Sequence, residues 1–151
     1  MEMTLSIFFT ILAGAGTFAL GQIILRLYID PLCQFKRVIA DIAHALIYHG
    51  ATLGDAGSGD DEREQAVAAE IRRLSSRLST EMSLVPSYGG MARVFRLPRR
   101  RDVEAAANHL IYLSNGLSNA ARRDKNVSRI HSVRKALGIF DDESVSMDRN
   151  D

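Results

Sequence analysis

The chain has 151 residues, 46% of them hydrophobic, with 19 Lys and Arg against 18 Asp and Glu and a net charge of +1. So near a balance excludes a general nucleic-acid coat, which needs a strongly basic surface. The single cysteine, Cys33, excludes an intrachain disulfide and a cysteine-built zinc cluster, in keeping with a reducing compartment.

Residues 4–25 read TLSIFFTILAGAGTFALGQIIL, without a single charge. As a helix they reach ~33 Å, enough to cross a ~30 Å hydrocarbon core. A cleaved signal peptide wants a basic start, a shorter apolar run and an A-x-A end. Here Glu2 is the only charged side chain before the run. A buried core helix would show a polar face, and only Ser6, Thr10, Thr17 and Gln22 interrupt this one. The stretch therefore reads as a transmembrane helix, with residues 1–29 as span and interface anchor. No Lys or Arg precedes it, whereas Arg26, Lys36 and Arg37 follow, so the positive-inside rule puts the N-terminus outside and the rest in the cytoplasm of an inner (cell) membrane. Arg26 and Tyr28 suit the headgroup level. Small residues recur on one face, with Ala13, Thr17 and Gly21 as the packing positions expected to pair this helix with another, including a second copy.

The rest of the chain reads as all-α, a cytoplasmic domain of three to four amphipathic helices over residues 30–140 with a loop at about 50–60. Asp30 and Pro31 either cap a new helix or kink a continuous one. The next helix carries Leu32, Phe35, Ile39, Ile42 and Leu46 at 3, 4, 3, 4 spacing and is expected to stop near His49, with Gly50 as a left-handed cap. Asp61 with Glu64 resembles a capping box that opens a helix over about 61–84, its seam Val67, Ile71, Leu74, Leu78 and Met82. Pro86 ends it. Between Pro86 and Pro98 only a short element fits, its apolar side Met91, Val94 and Phe95. Asp102 is the expected N-cap of a helix with Val103, Ala106, Leu110, Leu113, Leu117 and Ala120 inward. Asn126 is the expected cap of a last helix, residues 127–137, that buries Val127, Ile130, Val133 and Leu137 and stops at Gly138. Residues 141–151 are acidic and expected to be a disordered tail.

Tyr28-Ile29-Asp30-Pro31-Leu32 after the span, then Ile39, Ile42-Ala43, Leu46-Ile47-Tyr48, Leu110-Ile111 and Leu113-Ser114-Asn115, resemble a group of small bacterial single-pass membrane proteins of unassigned function. The resemblance implies one N-terminal span and a helical soluble part. The chain departs from it in the Gly-rich residues 54–59 and in its arginine run. It brings no catalytic residues to transfer.

Chemistry-bearing patterns are sparse. Gly14-Ala15-Gly16 lacks the preceding strand and acidic partner of a dinucleotide fingerprint. Asp41, His44, His49 and His109 are a thin basis for a metal centre, because one helix must bring His109 level with His44. No nucleophile and base stand at local spacing, so neither a catalytic residue nor a cofactor is expected. The sharper signal is basic: Arg93, Arg96, Arg99, Arg100 and Arg101 around Pro98, and Arg122, Arg123, Lys125 and Arg129, with Arg134 and Lys135, around the last helix. Under an anionic leaflet such residues attract lipid; nucleic acid is the rival partner. The expected role is a non-enzymatic, oligomerising anchor, scaffold or regulatory subunit of a membrane complex. The alternative is a membrane-tethered enzyme or sensor built on the His44 and His109 region.

Overall fold

The computed structural model describes residues 2–54, 61–117 and 123–139, and every regular element among them is a helix. α1 (Glu2–Ile24) passes through a π-helical turn at Leu25–Ile29 into α2 (Asp30–Tyr48). Asp30 therefore does not cap a new helix. Its backbone is helical, and its N–H donates to the carbonyl of Leu25, five residues back. Proline explains the widened turn: Pro31 has no N–H for the carbonyl of Leu27, and its ring crowds that carbonyl in a regular α-helix. Residues 6–48 consequently form one continuous helix whose apolar part is long enough to cross a membrane, and none of that apolar part is buried by the described residues. The core-helix reading fails on that observation.

α2 is buried along Leu32, Phe35, Val38, Ile42, Ala45 and Leu46. Ile39, expected in the seam, is only partly buried, because Val38 and Ala45 widen the inward stripe. The helix ends at Tyr48 as expected, but Gly50 is not left-handed. It begins α3 (Gly50–Gly54), one further turn that buries Leu53 completely. The expected loop thus starts later, and its residues 55–60 lie outside the described residues.

α4 (Asp61–Leu84) buries its whole expected seam, and Glu64 with it at 1% exposure. α5 (Tyr88–Val94) turns inward with Tyr88, Met91 and Phe95, at spacings of three and four. Val94 falls off that stripe and is 74% exposed. α6 (Arg100–Gly116) starts before Asp102 and is preceded by Arg99 in extended conformation. Asp102 lies in its first turn, where a carboxylate meets the positive end of the helix dipole without capping it. Its inward positions Val103, Ala106, Leu110, Leu113 and Leu117 are all buried; Ala120 lies outside the described residues.

α7 (Arg123–Leu137) begins earlier than the expected position 127. Its inward positions are Asn126, Ile130, Val133 and Leu137, so Asn126 takes the place expected of Val127, which is 56% exposed. Gly138 ends it in a Schellman motif at φ 68°: Gly138 N–H donates to Lys135 and Ile139 N–H to Arg134.

Pairings across the core fix the helix directions. Arg77 reaches Asp41 and His49 meets Glu70, so α4 runs antiparallel to α2. Ser75 donates to the Ala107 carbonyl and Arg72 to Asn115, so α6 runs antiparallel to α4. Arg129 reaches the Tyr112 carbonyl and Asn126 that of Gly116, which reverses the chain once more into α7. The bundle therefore has a near end, where α1 joins it, and a far end at Gly116. The near end gathers the start of α2, the end of α4, α5, the start of α6 and the end of α7.

Candidate functional site

The antiparallel arrangement sorts the basic residues between the two ends. At the near end Arg93, Arg96, Arg99, Arg100 and Arg101 are all exposed, and only Arg100 is in an ion pair, with Glu104 at 3.1 Å. They surround a turn built on two left-handed non-glycine residues, Ser87 at φ 47° and Arg96 at φ 51°. The turn is locked from inside. Tyr88 packs edge-on against Phe35 at 5.7 Å and donates its hydroxyl to the carbonyl of Pro98 at 2.8 Å. Burial, and then the negative charge of Asp102, push the Tyr88 phenol up to about 12, which keeps it a donor. Beside it a cleft of about 480 Å³ is lined by Ser87, Gly89, Gly90, Arg99 and Arg100. Exposed Leu84 and Val94 put apolar surface at the same end.

At the far end the basic side chains are engaged differently. Arg129 lies over the Tyr112 ring at 5.4 Å and donates to the Tyr112 carbonyl and to Asn126 Oδ1, each at 3.4 Å. Its guanidinium braces α7 on α6. Lys125 is exposed, Arg123 opens α7, and Arg122 lies outside the described residues. Along α6, Arg100 and the Tyr112 level where Arg129 sits lie ~18 Å apart at 1.5 Å per residue, so the two arginine groups do not form one surface.

On α1 the small-residue face is uncovered. Ala13, Thr17 and Gly21 are exposed, and a side chain built at Gly14, Gly16 or Gly21 would meet nothing within 4 Å. Thr10 and Thr17 donate their hydroxyls to the carbonyls of Ser6 and Ala13, four residues back, at 2.9 Å. That self-satisfaction lets the face enter an apolar medium without an unpaired donor.

The histidines are dispersed. His44 is exposed and stacks on Tyr48, whereas His49 pairs with Glu70 at 2.9 Å. His109, on α6, holds Nδ1 away from solvent without a hydrogen-bond partner. Among the described residues no three metal-capable side chains come together.

Tyr88 and Asn126 organise the two ends; Tyr88 was not singled out by pattern, and Asn126 was expected only as a cap. Tyr88 stands between Pro86 and Pro98, where the apolar spacing was counted from Met91. Asn126 precedes an apolar residue in the manner of a cap. No protein-family model, curated protein or solved structure matches the chain.

Proposed function

We propose that the chain is a single-pass inner-membrane protein, N-terminus outside, whose cytoplasmic helical domain acts as a non-enzymatic anchor, scaffold or regulatory subunit. The observation that carries this reading is the continuity of the helix: residues 6–48 run without a break from an apolar, wholly unburied stretch into the core of the bundle. Such a length of exposed apolar surface is costly in water and favourable in lipid.

The near end supports a second contact with the bilayer. Five arginines lie where the apolar helix joins the bundle, and each basic residue near an anionic leaflet is worth ~1 kcal/mol. The far-end residues stand beyond the ~8 Å Debye length of such a leaflet and add little to it. The anionic-surface site is therefore Arg93, Arg96, Arg99, Arg100 and Arg101, with Leu84 and Val94 as apolar contacts. Through Ala13, Thr17 and Gly21 the span self-associates.

Fusions to the C-terminus test the placement. A fluorescent reporter that matures only in the cytoplasm should be bright, and alkaline phosphatase, active only outside, should be silent. The opposite pattern would overturn the topology, and release of the full chain from membranes by alkaline carbonate would overturn the span.

A further inference from the structure

Two clefts adjoin where the apolar helix meets the bundle. One, of about 600 Å³, follows α1 and is lined by Phe18, Gln22, Ile23, Arg26 and Leu27. The other, of about 630 Å³, lies between the π turn, the start of α2 and the end of α4, and is lined chiefly by Arg26, Asp30, Gln34, Glu81 and Leu84. Arg26 and Leu27 line both, so the pair reads in order as an open apolar face of the helix, a guanidinium at the joint, and an open groove with two carboxylates and an amide.

Glu81 lines the second groove, and its Oε2 is shielded from solvent without a hydrogen-bond partner. A buried carboxylate oxygen without a donor costs free energy, and a turn of the carboxylate that brings this oxygen to a donor in the groove would recover it. Among the described residues Arg26, Asp30 and Glu81 form no ion pair with one another or with other side chains. The charges that line the groove are thus uncommitted.

We propose that the two clefts form a binding site for an aminophospholipid, the ethanolamine type. The inference rests on the membrane reading of α1. Such a lipid presents an acyl chain, then a phosphate, then a terminal ammonium with three N–H donors, and the protein presents their complements in the same order. The acyl chain lies along Phe18, Ile23 and Leu27, Arg26 meets the phosphate, and Glu81 with Asp30 accepts from the ammonium. A choline headgroup has the same charge but no N–H to donate to the Glu81 carboxylate. An anionic glycerol headgroup keeps its phosphate for Arg26 yet brings no cation to the carboxylates.

The test uses the full chain reconstituted in nanodiscs of equimolar dioleoyl-phosphatidylethanolamine, -phosphatidylcholine and -phosphatidylglycerol, with retained lipids counted by native mass spectrometry. The ethanolamine lipid should be retained about tenfold over the choline lipid, the ratio that 1.4 kcal/mol of selectivity produces. Glu81→Gln, which keeps the side-chain shape, should remove most of the preference for the ethanolamine lipid over the choline lipid. Asp30→Asn should reduce the preference in part. Equal retention of ethanolamine and choline lipids by the unaltered chain, or a preference that survives both variants, would overturn the site. Carbonate extraction of the same membranes separates the two failures. A chain that stays in the bilayer without headgroup preference loses only this inference, whereas a chain that washes off loses the membrane reading and the site together.

Discussion

At the far end of the bundle Arg129 is folded onto Tyr112 and Asn126, while at the near end Arg93, Arg96, Arg99, Arg100 and Arg101 project from the turn around Pro98. The same residue type serves cohesion in one place and leaves its charge outward in the other. Beneath each end lies one polar side chain that bonds to a backbone carbonyl across a gap in the helices: Asn126 to Gly116, and Tyr88 to Pro98. The polar bracket is common to both ends, and what sits above it differs. Substitutions in the brackets should therefore act on stability, and substitutions in the near-end arginines on surface contact.

The largest effect is expected beneath the near end. Phe35 is fully buried against Tyr88, and Phe35→Ala should cost ~3–5 kcal/mol through lost burial and the cavity left behind. Thermal denaturation of the detergent-solubilised full chain followed by circular dichroism reads that loss. A smaller loss would mean that the turn at residues 85–99 collapses onto the gap, and that the near end is looser than its packing implies.

The far-end bracket comes next. A Cβ on Gly116 would stand 2.7 Å from Asn126 Oδ1, and Asn126 is completely buried, so it cannot swing away freely. Gly116→Ala should cost ~1–2 kcal/mol, the overpacking outweighing alanine's better helix propensity. Asn126→Ala should cost ~1–3 kcal/mol by leaving polar groups buried without their partner. In the Asn126→Ala background the Gly116→Ala change should become neutral or stabilising, since the clash is gone. Additive costs would show that the close approach is not what couples the two positions.

These positions show what pattern reading reaches. The α4 seam and the inward face of α6 were legible because long helices with apolar residues at three- and four-residue steps must bury them, and they do so from Val67 to Met82 and from Val103 to Leu117. Periodicity gives the face but not the partner. Val94 and Val127 are apolar at plausible spacings, yet Tyr88 and Asn126 set the register of α5 and α7 and leave both valines outside. Gly50 was read as a stop because glycine tolerates positive φ, whereas here it continues into α3. The separation of the two basic clusters is a matter of topology. Only the order of antiparallel turns decides that residues 93–101 return to the end where α1 enters, and no local spacing encodes it. The cleft of Arg26, Asp30 and Glu81 was hidden for the same reason, since its residues come from segments about fifty positions apart in sequence.

The near-end bracket should be pH-dependent. Tyr88 ionises at about 12 in the folded chain against an ordinary 10.0, so the folded state holds this proton more tightly than the unfolded one. Its contribution to stability is intact below pH 10 and is lost as pH rises from 10 towards 12. Near neutral pH, Tyr88→Phe should cost ~0.5–1.5 kcal/mol for the lost bond to Pro98. The variant should also lack the Tyr88 part of the alkaline decline, and parallel pH profiles for the two proteins would contradict the assignment.

The smallest effect has the opposite sign and separates stability from surface contact most directly. Arg96 is held at φ 51° at the end of α5, where the Leu97 N–H bonds back to the Ala92 carbonyl. Glycine adopts that conformation without a Cβ penalty, so Arg96→Gly should stabilise the fold by ~0.5–1 kcal/mol after allowing for the greater freedom of the unfolded chain. The same change removes one of the five near-end cations and should weaken contact with an anionic leaflet by ~1 kcal/mol. Arg96→Lys keeps both the charge and the strain, and should leave both readouts unchanged. Denaturation gives the first readout. The second is protection of the segment around residues 93–101 from added trypsin, compared in nanodiscs with and without anionic lipid. A glycine variant that is more stable and less protected, beside a lysine variant that matches the parent, would show the turn accepting backbone strain to keep a cation at the surface. If the glycine variant is protected equally in both lipid compositions, the near-end arginines have no more contact with the leaflet than those of the far end.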